Sequence, residues 1–173
     1  SARPDVQAYI ERISREQGFD PQALTALLGQ ARMQPDILTA IARPAEAKPW
    51  YQYRALFLTP QRIDQGVAFW RANEALLQRA ARDYQVPPQI IVAILGVETR
   101  YGALQGRYRV LDALATLGFG YPPRADFFRG ELTEFLLLTR DEHLVVQDVL
   151  GSYAGAMGMA QFIPSSYRRL AID

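Results

Sequence analysis

The sequence predicts a mainly helical protein, and three features carry that prediction. Apolar residues recur at three- and four-residue spacing along most of the chain, Asp20 and Thr59 each precede a proline where such a run begins, and alternating strand patterns are nearly absent. The 173 residues suffice for one ordinary domain, or for one domain with a helical extension. Apolar residues at 49% and charged residues at 21% match soluble globular proteins and argue against disordered and fibrous classes.

Val6, Tyr9, Ile10 and Ile13 form the first helical stripe, and Gly18 follows as its stop. Asp20 as N-cap and Pro21 as first residue open a second helix through Leu24, Leu27 and Leu28, and Pro35 with Asp36 begin a short third one. Prolines 44 and 49 break helical continuity, so Arg43 to Trp50 with the aromatic cluster Trp50, Tyr51, Tyr53 and Phe57 reads as a connecting segment. Thr59 and Pro60 repeat the cap signal, and Ile63, Val67, Trp70, Leu77 and Ala81 predict one long helix towards Tyr84. After Pro87 and Pro88, the run Ile90 to Val97 is apolar but for Gly96, which predicts a helix buried on nearly every side and ended by Glu98. Leu111 to Leu117, a turn over Gly118 to Pro123 and an apolar helix around Phe127 to Leu138 complete the pattern. Neither solenoid repeats nor low-complexity tracts occur.

A net charge of +1 gives no electrostatic footprint for nucleic acid. No stretch approaches the roughly 18 to 20 apolar residues of a membrane span, and the first residues lack the blocks of a signal peptide. With no cysteine, disulfides, thiolate metal sites, cysteine nucleophiles and a lipid-bearing cysteine are all absent from this chain.

A carboxylate ending a buried apolar helix is expected to have a raised pKa, because desolvation and the negative helix C-terminus both disfavour its charged form. That property suits Glu98 to general acid catalysis at a glycosidic oxygen. Pairing with Arg100 as structural support is an equally open reading of position alone. In GSYAGAMGMAQFIPSSY, from Gly151 to Tyr167, three glycines punctuate a loop before a predicted helix. Ser152, Tyr153 and Gln161 offer hydrogen bonds there, and Met157 and Phe162 offer apolar contact, a mixture that suits an amphipathic sugar. A tight turn without a ligand fits the glycines as well. Glu131, Glu134, Asp141 and Glu142 read as a solvated helix face, and the single His143 as a surface residue.

Three blocks, GVETRYG from Gly96 to Gly102, LDALATLGF from Leu111 to Phe119, and GSYAGAMGMAQFIPSSY, resemble the membrane-bound lytic transglycosylase B family. VPPQIIVAILGVETR and RADFFRGELTEFLLL extend the likeness over nearly all of Tyr84 to Asp173, WYQYRALF resembles the family's upstream aromatic segment, and residues 1–42 are compatible in helical pattern. The resemblance implies a lysozyme-like catalytic core over residues 85–173, preceded by an N-terminal helical subdomain over residues 1–84 and incomplete at its C-terminal end. It implies Glu98 as the single catalytic acid and base, cleaving the β-1,4 bond from N-acetylmuramic acid to N-acetylglucosamine in peptidoglycan with 1,6-anhydromuramoyl products. Ser152 matches the family's serine for the acetamido group, Gln161 its glutamine of the alanine, methionine, glycine and glutamine motif, and Tyr53 its cleft tyrosine. With Tyr153 and Met157 these are the expected substrate contacts. Ordinary glycosidases use two carboxylates, and these blocks offer only one.

The family normally continues beyond SYRRLAID into a calcium-binding loop, of which Asp173 would be the first residue. One carboxylate cannot supply the roughly 6 to 8 oxygen ligands of calcium, so no metal or other cofactor is expected within this chain. The implied setting is the Gram-negative periplasm, with glycan strands as substrate, cell-wall synthesis proteins as partners and membrane association only through an anchor outside this chain. A noncatalytic peptidoglycan-binding module, a hydrolysing muramidase and a general helical interaction domain are the competing readings.

Overall fold

The computed structural model describes residues 3–42 and 49–171. Among them are ten α-helices: α1 Pro4–Gln17, α2 Pro21–Leu28, α3 Pro35–Ile41, α4 Trp50–Ala55, α5 Pro60–Ala72, α6 Glu74–Tyr84, α7 Pro88–Thr99, α8 Val110–Gly120, α9 Ala125–Asp141 and α10 Pro164–Leu170. One small antiparallel ladder pairs β1 (Tyr108–Arg109) with β2 (Leu150–Gly151). The expected caps are present. Asp20 Oδ2 accepts the Ala23 N–H at 2.8 Å, Thr59 Oγ1 accepts that of Arg62 at 3.3 Å, and Gly18 closes α1 with φ 70°.

The chain forms two compact units, and both are discontinuous in sequence. The first holds residues 3–42, 106–157 and 162–171, and the second holds residues 49–105 and 158–161. The expected boundary at residues 84 and 85 does not coincide with this division, because it falls inside the second unit. Short helices are marginal on their own below about 12 to 15 residues, so α1 to α3 need an apolar surface to lie on. In the first unit α8 and α9 supply it. Tyr9, Ile10, Ile13, Leu24, Leu28 and Ile37 share one core with Val110, Leu111, Leu114, Leu117, Phe128, Leu132 and Phe135.

Buried polar pairs fix that packing. Asp112, 3% exposed, receives Arg109 through two bonds of 2.7 and 2.9 Å and also accepts the Arg32 N–H at 2.9 Å. Thr116 Oγ1 accepts the Gln34 N–H at 3.0 Å, so the strand of chain between α2 and α3 is tied to α8 twice. Glu131 corrects the expectation of a solvated face. It is buried in α9, accepts the Ser165 N–H at 3.0 Å and its hydroxyl at 2.6 Å, and thereby fastens the start of α10. Its position explains this, three residues after Phe128 and four before Phe135 on the face that meets the core. Glu134 and Asp141 do pair with Arg168 at the surface, and Glu142 and His143 are exposed.

In the second unit the long helix expected from Thr59 to Tyr84 is two. Asn73 (φ −121°, ψ 18°) breaks it, and its Nδ2 donates to the Phe69 carbonyl at 2.9 Å, the local competition with the backbone that asparagine offers. The aromatic segment is helical as α4 rather than a mere connection, although residues 43–48 before it lie outside the described residues. α7 is not buried all round: Val92, Gly96 and Thr99 are buried, while Ile90, Ile94 and Val97 are each about half exposed. α5 and α6 pack on α7 and leave that other face uncovered among the described residues.

Candidate active site

Glu98 is the penultimate residue of α7 and lies four residues after the half-exposed Ile94, on the uncovered face. It is exposed, and among the described residues no ion pair or hydrogen bond holds its carboxylate. The burial expected from its apolar run is therefore absent. Pairing with Arg100 is absent too: that guanidinium donates to Gln65 Oε1 at 3.2 Å and Gln61 Oε1 at 2.9 Å, both on α5.

The backbone after Glu98 is unusual. Arg100 (φ 53°), Tyr101 (φ 60°) and Gly102 (φ 88°) are three successive left-handed residues, a conformation that costs a residue with a Cβ about 1 kcal/mol or more and persists only when its surroundings dictate it. The surroundings here are specific. Tyr101 donates its N–H to the Leu95 carbonyl at 2.9 Å and its hydroxyl to the Arg62 carbonyl at 3.0 Å, and its ring stacks on Phe69 with centroids 5.6 Å apart. The ring edge enters a space left by two glycines: a Cβ on Gly66 would lie 2.5 Å from the phenolic oxygen and one on Gly96 2.7 Å. Arg62 returns a bond of 3.0 Å to the Gly96 carbonyl. Thr99, 1% exposed, donates its hydroxyl to the Met159 carbonyl at 2.8 Å and accepts the Gly102 N–H at 3.0 Å.

The same unit contains Gln161 and Tyr53. Gln161 adopts φ 52° and donates Nε2 to the carbonyls of Gly158 at 2.9 Å and Gln105 at 3.2 Å, so its side chain secures the turn and keeps Oε1 as an acceptor. Tyr53 is half-buried in α4, its ring 5.0 Å from Phe57 and 6.3 Å from Trp50.

The other three candidates belong to the first unit. Ser152 Oγ accepts the N–H groups of Ala154 at 3.2 Å and Ala156 at 3.1 Å, which makes it the organiser of its own turn and leaves its O–H as a donor. Gly155 (φ 82°) passes so close to Leu114 that a Cβ would meet Cδ2 at 2.5 Å. Tyr153 is exposed. Met157 is 6% exposed and packs into the core while its backbone bridges Gly151 and Phe162. The six predicted residues thus divide three and three between the units. Thr99, Tyr101 and the glycines at 66 and 96 were not singled out from sequence. A lone glycine within a helical run, such as Gly66, is a signal of close approach, whereas Thr99 and Tyr101 carry no comparable signal.

Among the described residues there is no group of three or more acidic or histidine side chains able to hold a metal ion, and Asp173 lies outside them. No helix among them is long and apolar enough to cross a membrane.

Residues 1–173 match the family described as the transglycosylase SLT domain. The chain belongs to that family. This SLT domain is 46% identical to the membrane-bound lytic murein transglycosylase B of Escherichia coli K12 over 180 residues, 98% of this chain and 50% of that protein. The crystal structure of the Escherichia coli lytic transglycosylase Slt35 in complex with calcium superposes with a TM-score of 0.93 at 46% identity, over 98% of this chain and 55% of that one. SltB3 from Pseudomonas aeruginosa, solved with NAG-NAM-pentapeptide, gives 0.87 at 28% identity over 96% and 45%. The mainly helical, lysozyme-like fold expected from the sequence is the fold of these relatives. The SLT domain spans about half the length of the proteins it matches.

Proposed function

We propose that this SLT domain carries the catalytic acid of a peptidoglycan lytic transglycosylase, and that the acid is Glu98. The observation that carries the reading is the exposed Glu98 carboxylate at the end of α7, unpaired among the described residues, next to a left-handed turn that its neighbours hold in place. In its protonated form Glu98 gives its proton to the glycosidic oxygen between N-acetylmuramic acid and N-acetylglucosamine as that bond breaks. As carboxylate it then takes the proton of the muramic 6-hydroxyl, whose oxygen bonds to the anomeric carbon. The product end is 1,6-anhydromuramoyl, and no water is consumed. A single carboxylate suffices when the substrate's own acetamido group, or an electrostatically stabilised oxocarbenium ion, takes the place of the enzyme nucleophile and the muramic 6-hydroxyl takes the place of water.

The remaining candidates support binding. The free O–H of Ser152 suits the carbonyl of an acetamido group, Oε1 of Gln161 accepts a sugar hydroxyl, and the rings of Tyr53 and Tyr153 offer faces to a pyranose. The NAG-NAM-pentapeptide bound by SltB3 supports peptidoglycan strands as the substrate, and the likeness to a membrane-bound murein transglycosylase of Escherichia coli supports the periplasm as the setting. Calcium, found with Slt35, would need ligands other than those described in this chain.

The test is digestion of purified peptidoglycan by the full-length protein and by its Glu98→Gln variant, with released muropeptides read by mass spectrometry. Anhydromuropeptides from the natural protein only are the expected result. Products heavier by one water would identify a hydrolysing muramidase, and equal release by both proteins would remove Glu98 from the chemistry.

A further inference from the structure

We propose that Thr99 is a positioning residue for Glu98, its hydroxyl coupling the catalytic end of α7 to the turn that carries Gln161. The proposal rests on the function argued above and concerns a residue to which that function assigns no role.

Three observations carry it. Thr99 is among the most deeply buried side chains of the chain, 1% exposed, although it adjoins the exposed Glu98. A buried hydroxyl must find partners, and this one reaches beyond its own helix: besides the Leu95 carbonyl of α7 at 3.4 Å, it donates to the Met159 carbonyl at 2.8 Å and accepts the Gly102 N–H at 3.0 Å. Met159 stands two residues before Gln161, and Gly102 ends the left-handed turn of Arg100 and Tyr101. The backbone adds its own tie, as the Thr99 carbonyl accepts the Leu104 N–H at 2.8 Å. Glu98 itself has no hydrogen bond to orient it among the described residues, so its position is inherited from the backbone of Thr99.

Met159 is 38% exposed, and a Cβ on Gly102 would lie 3.0 Å from its methyl group. The Thr99 hydroxyl links α7 itself to the Gln161 turn, and the bond from Gln161 Nε2 to the Gln105 carbonyl ties that turn to the segment beyond α7. A displacement of about 1 Å at a reacting group is enough to cost about 100-fold in rate. Loss of this link should act on turnover more than on binding.

The experiment compares Thr99→Val, which keeps the shape and removes the hydroxyl, with Thr99→Ser, which keeps the hydroxyl, in the full-length protein on soluble glycan strands. Expected is a fall in kcat of about tenfold for Thr99→Val with KM changed less than about twofold, and kcat restored to within about twofold of the natural value in Thr99→Ser. Rates are taken per folded molecule, below the melting temperature of each variant. Thr99→Ala replaces Thr99→Val if the latter does not fold. A hydroxyl-less variant that folds and retains its kcat, or a Thr99→Ser variant as slow as Thr99→Val, would overturn the proposal. Full activity of the Glu98→Gln protein would instead overturn the function on which it rests, and the two failures are read from separate proteins.

Discussion

Substituting Gly96 by alanine should weaken the second unit, although glycine to alanine inside a helix is normally stabilising. In open space the change gains about 1 kcal/mol through helix propensity. Here the added Cβ would lie 2.7 to 2.8 Å from the hydroxyl and two ring carbons of Tyr101, so the ring has to move. It is not free to do so. Its face stacks on Phe69 and its hydroxyl holds the Arg62 carbonyl, contacts worth about 0.5 to 1.5 and about 1 kcal/mol. With about 1 to 3 kcal/mol for overpacking, the balance is a net loss of about 3 kcal/mol. That corresponds to a melting temperature lower by about 6 to 12 °C. Urea and thermal denaturation followed by circular dichroism measure it. The decisive control is the same change in a Tyr101→Ala background, where the obstacle is gone and Gly96→Ala should become neutral or stabilising by up to about 1 kcal/mol. A single variant as stable as the natural protein, or a loss that persists without the Tyr101 ring, would refute the assignment of Gly96 to that ring.

Two further expectations concern the first unit. Glu131→Ala leaves the partly buried Ser165 N–H and hydroxyl without their acceptor and should cost about 1 to 3 kcal/mol in urea denaturation, whereas Glu131→Gln keeps one acceptor oxygen and should recover much of the loss; equal damage from both would count against the hydrogen bonds as the cause. Burial pushes the Tyr9 hydroxyl from its usual 10.0 up to about 12. The unfolded chain then loses this proton while the folded one still keeps it, so stability from Tyr9 is intact below pH 10 and falls as pH rises from 10 through about 12. Tyr9→Phe should flatten that alkaline fall by roughly 2 kcal/mol relative to the natural protein, and identical alkaline profiles would contradict the burial argument.

What the sequence discloses depends on how local the cause is. Asp20, Thr59 and the helix-opening prolines act within one turn of their own position, and the elements they start are where they were expected. The break at Asn73 escaped because the apolar spacing from Trp70 to Leu77 continues across it, while the break is made by one amide reaching Phe69. The burial of α7 escaped for a different reason: an all-apolar helix states that every face suits a core, and only the neighbouring helices decide which faces receive one. At the candidate site the exposure of Glu98 follows from that same missing information. Glu131 was legible in its spacing to Phe128 and Phe135, which places it on the apolar stripe of α9. The link from Thr99 to Met159 joins residues 60 apart and leaves no periodic trace.

The discontinuity of the first unit also sets an order of events during synthesis. Tyr9 bonds to Thr133, 124 residues later, so the apolar faces of α1 to α3 leave the ribosome well before α8 and α9 exist to cover them. At about 5 to 20 residues per second the interval is on the order of 6 to 25 s, long compared with the microseconds in which helices form and collapse. The second unit, by contrast, has nearly all of its chain in one stretch, residues 49–105, and is complete but for residues 158–161 before α8 appears. The nascent chain therefore carries a nearly finished unit and three amphipathic helices awaiting their partner, and those helices are the segment a holding chaperone would bind during translation.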